Sequence, residues 1–427
     1  MKRYFWTEVF AGLTTFMTMS YIIFANPSIL SAAGIPLSAA QASTCLGSAL
    51  ACVLMGIWAK YPFALAPGMG LNAFLVYTVC LGMGYSWQTG MAVVFVEGVL
   101  ITLLVVVGLR QWVMDAIPMS LKHAIGIGIG LFIAFIGLRN GGLVESHPVT
   151  AVSLGVLSHP HAIVATVGLL FTIALITWRV PGAILLGIAT STVLADWGFG
   201  IAALPKSFSG LFAIPDFSSV GQFTSGLPGV FSWKLLPVIL SFLLVDFFDT
   251  MGTVIAVGTQ GGFTDYRGRM PRIREVLYVD SLSAALGGML GCSSITTYIE
   301  SASGVAAGGR RGLTAITVGI LFAVAMFVGP LAAAVPACAV APALIVVGYL
   351  MTRSVSDIQW VKVEEGLPAF LAMILMPLTF SISTGIGWGI MSFVAINIFK
   401  GNGRTIHPLL WVVSIVFAMA FSPLMPK

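Results

Sequence analysis

The sequence predicts an all-α polytopic membrane protein, and three observations carry that expectation. Of 427 residues, 58% are hydrophobic and only 8% charged, with a mean hydropathy of +1.02, whereas soluble domains carry roughly 25% charged residues. The apolar runs are continuous and long, as helical spans require, unlike the short alternating segments of a β-barrel. Acids stand inside those runs, above all in VDFFDTMGT (245–253) and SSITTYIESASGVAAGG (293–309). A carboxylate deep in a bilayer costs at least about 2.5–3.5 kcal/mol and marks an ion, proton or substrate path.

The first span covers 8–30 and follows the N-terminal residues with no A-x-A-like cleavage site, so no removable signal is expected. The second covers 42–58. The third, PFALAPGMGLNAFLVYTVCLGMG (62–84), packs Pro62, Pro67, Gly68 and Gly70 into its first part. Pro removes a backbone donor and Gly loosens a helix, so an extended stretch should feed a half-helix that begins near Met69. Spans four to seven fall at 90–109, 123–138, 163–178 and 181–197, and the GIGIGL run gives the fifth a small face. A polar Gly/Ser/Pro-rich loop runs to about 232. Span eight (235–257) carries Asp246 and Asp249, span nine (276–290) carries Asp280, and segment ten (295–307) is interrupted around Glu300. Spans eleven to fourteen lie at 313–335, 339–351, 367–382 and 386–399. A last apolar piece, 408–425, could span, re-enter or lie at the interface.

Charge tests this order. With the N-terminus cytoplasmic, 16 of the 20 Lys and Arg fall on inner segments and 3 on outer ones, with Lys427 unassigned. That is the bias positive-inside sorting demands, and a missed span midway would scramble it. The net charge of +5 therefore follows membrane topology and does not point to nucleic acid. The halves also correspond. Interrupted segments stand third in each set of seven, and since seven is odd the second copy enters the membrane inverted. Paired broken segments at matching places point to a transporter binding site.

Glu300 is the first candidate, a carboxylate on a half-helix able to accept hydrogen bonds from a small polar solute; the alternative is a structural acid tied to Thr296, Thr297, Ser301 and Ser303. Asp246 and Asp249 stand three apart and share roughly one helix face, an arrangement suited to holding a proton between them. Asp249 is favoured for the site because Thr250, Gly252 and Thr253 surround it; Asp246 is as well suited to bracing. Asn72, just past the Pro/Gly break, suits binding or backbone bracing equally, and half-helix N-termini offer unpaired N–H groups besides. Glu97 and Asp280 read as structural or gating acids, Asn26–Pro27 as the end of a helix, and Arg310–Arg311 as a topology anchor. The five cysteines show no CxxC spacing, so neither a metal site nor a disulfide frame is expected. No Walker A, HExxH or GxSxG sequence occurs, so ATP-driven transport and membrane hydrolysis are not expected. An intramembrane aspartyl protease would carry its two acids on separate helices.

Several long strings resemble the nucleobase–cation symporters of the xanthine/uracil permease superfamily, in particular the adenine/guanine/hypoxanthine (AzgA-like) branch. These are TFMTMSYIIFANPSIL (15–30), APGMGLNAF (66–74), VDFFDTMGT, TTYIESASGVAAGGRRGLTA (296–315), PALIVVGYLM (342–351) and MPLTFSI (376–382). The resemblance covers nearly the whole chain. It implies fourteen segments as a 7+7 inverted repeat, with short strands and half-helices in segments three and ten. It implies a core domain from 8–109 and 233–335, a gate domain from 118–200 and 336–400, and a tail at 401–427. It also implies a homodimer. Matching glycines place Asp249 and Glu300 on the family's two acidic positions, and Asn72 on the polar position of segment three. Asp-Thr stands where uracil and xanthine members have Glu-His, which fits the purine branch.

The expectation is thus a secondary-active importer of purine bases in the cell membrane, multi-pass and no enzyme, with an elevator-like alternating-access motion. Glu300 and Asp249 would hold the base, with Asn72, Thr253 and the backbone amides of Thr297 and Tyr298 completing the cradle. Asp249, Glu300 or Asp246 would carry the coupling proton, with no other cofactor and no metal. The rivals are an anion or carboxylate exchanger, or a xanthine/uracil carrier, of the same fold.

Overall fold

The computed structural model describes residues 2–108, 116–202, 212–263 and 270–421. The arginines at 267 and 269 and the end of the C-terminal apolar piece, 422–427, lie outside the described residues. Span one is built as two helices, α1 (Lys2–Met19) and α2 (Ile22–Ser31), which meet at Ser20–Tyr21. Asn26–Pro27 does not end a helix, contrary to expectation. Pro27 lies inside α2, where a membrane helix tolerates proline if neighbours satisfy the freed backbone. Helix α3 (Leu37–Leu54) widens into a π-helical stretch, Met55–Ala59, and stops at Lys60, whose φ of 61° is left-handed.

Segment three opens as an extended strand, β1 (Leu65–Pro67), and turns into α4 (Met69–Ala73), which widens over Phe74–Gly82. Helix α5 (Trp87–Val107) starts where Ser86 Oγ accepts the Thr89 N–H and ends at Gly108 with φ of 78°. Next come α6 (Met119–Asn140), a small hairpin of β2 (Val144–His147) and β3 (Ala151–Leu154), α7 (Pro160–Thr177) and α8 (Ala183–Trp197). The hairpin had no signal in the hydropathy pattern. Nor had α9 (Phe223–Val230), which lies in the expected loop and packs Gly226 on the backbone of Gln88.

The second half runs α10 (Leu236–Gln260), α11 (Ile273–Leu290), β4 (Ile295–Thr297), α12 (Ser301–Ala306), α13 (Gly312–Ala325), α14 (Gly329–Ala334), α15 (Ala337–Met351), α16 (Val363–Thr379) and α17 (Ile382–Phe399). The C-terminal α18 (Pro408–Phe421) has 14 residues, fewer than the roughly 20 of a full span. Among the described residues nine helical stretches are long and apolar enough to cross a membrane, which makes this a multi-pass helical membrane protein.

The two interrupted segments meet at the centre. β1 and β4 pair antiparallel, Leu65 opposite Thr297 and Pro67 opposite Ile295. The ladder is extended by Gly68 N–H to Ser294 O (2.8 Å) and Tyr298 N–H to Ala64 O (2.9 Å). A two-stranded ladder leaves two outer edges, which cannot stay unpaired in a lipid-embedded interior. Side chains meet both. On β1, Cys52 Sγ accepts the Leu65 N–H at 3.2 Å and donates to Leu65 O at 3.3 Å, while Ser301 Oγ accepts the Ala64 N–H at 2.9 Å. On β4, Asp280 Oδ1 accepts from both the N–H (3.0 Å) and the hydroxyl (2.9 Å) of Thr297.

Around this crossing, glycines let helices touch backbone to backbone, and most of these contacts fall into two sets, with Gly182 against Met17 O crossing between them. Gly98 of α5 lies on the Ala284–Ala285 backbone of α11, and Gly56 faces Gly312 across α3 and α13. Separately, Gly130 of α6 faces Gly348 of α15, and Gly385 of α17 lies on Ala372 of α16. A Cβ on Gly98 would collide with the Ala285 backbone, whereas one on Gly126 of α6 meets nothing within 4 Å. Overpacking at rigid backbone costs about 1–3 kcal/mol. Gly98→Ala should therefore lower the thermal unfolding midpoint of the detergent-solubilised protein by several degrees, and Gly126→Ala should not.

Candidate substrate site

Helix α10 delivers Asp249 and, one turn on, Thr253. Thr296 of β4 donates its hydroxyl to Asp249 Oδ2 at 3.3 Å. Beyond β4 the chain turns through Tyr298 and Ile299 to Glu300, which stands at the N-cap position of α12 with its side chain turned to other partners. Glu300 Oε1 accepts from Tyr21 Oη at 2.8 Å. Tyr21 sits buried at the break between α1 and α2. Asp249, Thr253, Thr297, Tyr298, Glu300 and Tyr21 line one cavity. Gly68, Met69 and Gly70, at the start of α4, and Ile299 complete that side, and Val347 and Met351 of α15 also line the cavity. None of the lining residues is Lys or Arg.

The structure thus brings five of the sequence candidates to one cavity and leaves two outside it. Asn72 is fully buried behind the wall. Its Nδ2 donates to Asn26 Oδ1 at 2.6 Å, and Asn26 Nδ2 in turn donates to Thr44 Oγ1 (2.8 Å) and Cys292 O (3.1 Å). It is placed to tie α4 to α2, α3 and the turn before β4. Asp246 is fully buried, one turn before Asp249, and is not among the cavity residues.

The backbone amides expected to complete a cradle are already committed. Thr297 N–H goes to Asp280 and Tyr298 N–H to Ala64 O. A helix leaves its first N–H groups without intrahelical partners, and of the cavity residues Met69 and Gly70 stand at such a helix start. Tyr298 Oη is held by Pro67 O at 2.5 Å, leaving its ring edge to the cavity.

Tyr21 and Glu8 have roles the sequence did not reveal, and Asp280, read as structural or gating, has the structural one. Tyr21 lies mid-span, away from the interface where Tyr normally collects, and that position was the available signal. Asp280 takes the Thr250 hydroxyl on Oδ2 (2.6 Å) besides both Thr297 donors on Oδ1, so one carboxylate locks β4 to α10 and α11. Glu8, buried near the start of α1, accepts the N–H groups of Arg310 and Arg311 and the Thr314 hydroxyl at 2.6 Å. Arg310 itself folds back, its Nη1 donating to Val305 O (2.5 Å) and Gly309 O (2.8 Å) at the end of α12. Its side chain therefore closes the half-helix that Glu300 opens. Among the described residues no group of three or more His, Cys, Asp or Glu is placed to hold a metal ion.

A cavity that carries two carboxylates where two interrupted segments cross inside a multi-helical membrane protein fits a membrane permease. The profile of the Permease family (Xan_ur_permease) matches residues 7–387, and the chain belongs to that family. It is 41% identical to the Escherichia coli adenine permease AdeP, over 97% of this chain and 92% of that one. It is 42% identical to the Bacillus subtilis guanine/hypoxanthine permease PbuG, over 97% and 96%. Among solved structures it is similar to the transmembrane domain of a cyanobacterium bicarbonate transporter, BicA. That match has a TM-score of 0.65 at 15% identity and covers 88% of this chain and 96% of that one. It is also similar to the murine Slc26a9 anion transporter in the inward-facing state (TM-score 0.65, 13% identity, 92% and 68% covered). At such identities the structures share the fold alone.

The brace at Asp280 makes a separable prediction. Asp280→Ala strands three buried donors, at about 1–3 kcal/mol for each group left unsatisfied, and should sharply reduce folded yield and thermal stability. Asp280→Asn keeps Oδ1 for Thr297 and offers its amide to the Thr250 oxygen, so it should retain most of both. Size-exclusion profiles and melting curves of the two variants check this.

Proposed function

We propose that the chain is a secondary-active importer of purine nucleobases, coupled to protons. The observation that carries this is the pairing of Asp249, from the continuous helix α10, and Glu300, from the interrupted segment of the second half, on one cavity with no cationic residue. A purine base presents ring N–H and exocyclic donors on its edges, and carboxylate oxygens accept them. Tyr21 and Thr296 already hold Glu300 Oε1 and Asp249 Oδ2. Glu300 Oε2 and Asp249 Oδ1 are then the acceptors for the solute. Thr253 and the α4 amides serve its acceptor atoms. The purine permeases among the relatives support this class over an anion exchanger, whose site would carry positive charge.

One of the two carboxylates takes the coupling proton, so that solute and proton together remove charge from the cavity before it moves. Asp246, a turn away and off the cavity, is the relay candidate. The two sets of glycine contacts support two bodies: a core from 8–109 and 233–335, which carries the site, and a gate from 118–200 and 336–400. Their motion past one another gives an elevator-like alternation. The remaining parts of the proposal are the fourteen-segment inverted repeat, a homodimer joined through the gates, and a cytoplasmic N-terminus in the cell membrane.

Uptake of labelled hypoxanthine, adenine, guanine and uracil into cells lacking their own permeases tests this. Purine uptake should exceed uracil uptake, rise in acidic medium and collapse with a protonophore. Glu300→Gln should reduce it about 10- to 100-fold, the loss of a charge-assisted hydrogen bond of roughly 1.5–3 kcal/mol. No purine uptake by a chain shown to reach the membrane would overturn the proposal.

A further inference from the structure

The cavity has two unlike walls. Everything polar on it comes from Tyr21 at the α1–α2 break, the start of α4, α10 and the stretch from β4 to α12, whereas α15 contributes only Val347 and Met351. These two stand four residues apart, on one face of the helix. Val347 is 8% exposed, so its methyls meet the cavity and little else open. In this arrangement the wall they form is packed tightly from behind. Gly348 and Gly130 lie backbone on backbone, and a Cβ on Gly130 would come within 2.7 Å of Gly348 O. Helix α6 is in turn pressed on the first turn of α4, where the Ile129 side chain occupies the space a Cβ on Gly70 would need. Within the gate, α15 cannot draw back from α6 without parting Gly130 from Gly348.

We propose that Val347 and Met351 are the specificity-determining residues of the site: they restrict it to bases that turn an unsubstituted edge toward α15. This rests on the purine proposal above. A purine read along its polar edges by Asp249, Glu300 and Thr253 must bring a remaining edge against an aliphatic and a thioether side chain. Neither can hydrogen-bond a polar substituent, and while the site faces α15 as it does here the close packing behind them leaves no room for an added apolar one. A buried polar group left without a partner is disfavoured, and an added methyl in a packed site is too. Met351 is the more adaptable of the two, because an unbranched thioether repacks where a branched side chain cannot. Val347 therefore sets the limit more strictly.

Competition against labelled hypoxanthine uptake, with hypoxanthine and its 2-, 8- and 9-methyl derivatives, tests this on the parent and on Val347→Ala, Met351→Ala and Val347→Ile. The parent should reject the derivative substituted at one position by about tenfold or more. Val347→Ala should recover most of that loss at that position alone, and Met351→Ala should recover less. Val347→Ile should deepen the rejection, which keeps the test meaningful if a truncation fails to reach the membrane. If all derivatives shift alike in every variant, or none shifts, the specificity role is overturned. If the parent takes up no purine at all, the failure belongs to the proposed function.

Discussion

The structure depends on one constraint: inside a membrane, every backbone N–H and C=O must find a partner within the protein. Two segments of this chain abandon the helix midway, at 65–67 and 295–297, and so expose the very groups a helix would have satisfied. They solve the problem by pairing with each other; Cys52 meets the outward groups of Leu65 on one edge, Asp280 the outward N–H of Thr297 on the other, and Ser301 takes the Ala64 N–H at the ladder's end. The ladder fixes where α4 and α12 begin. It therefore fixes the positions of the Met69 amide and the Glu300 carboxylate relative to Asp249 on α10.

Inside the cavity, the acids are held by neutral groups. Tyr21 and Thr296 each donate one hydroxyl to a carboxylate, and no Lys or Arg lines the space. A guanidinium at 3 Å would have neutralised either acid permanently. Hydroxyls orient it and leave its charge to be met by a proton or by donors on a solute, which is what a carrier that must release its cargo needs. Asp280 differs from both. Three donors surround it and it is fully buried, so it serves the frame and not the solute.

Much of the fold was legible because its exceptions are compositional. Pro62, Pro67, Gly68 and Gly70 in an apolar run announce a broken span, and the half-helix does begin at Met69. Asp249 and Glu300 stand out for the same reason, as charges where none is expected, and they meet at one cavity. The partner of each strand was not legible, since β1 and β4 are more than 200 residues apart and the pairing joins backbones. For the same reason the sequence offered Thr297 and Tyr298 amides to a solute when the ladder and Asp280 already use them. Asn72 shows the limit from another direction. Its type and position suit a ligand, but the rotation of a short half-helix decides its face, and here that face looks to Asn26. Asn26 itself, read as a helix end beside Pro27, is the bridge in that contact.

The central claim is that Asp249 and Glu300 act on one solute through one cavity. A double-mutant cycle in purine affinity, measured calorimetrically on purified parent, Asp249→Asn, Glu300→Gln and the double variant, addresses it most directly. Groups that hold the same small ligand couple by about 0.5–3 kcal/mol, while independent sites add within about 0.5 kcal/mol. The structure predicts a double variant clearly weaker or stronger than the sum of the single losses. Additive losses, or binding unchanged by either substitution, would contradict it.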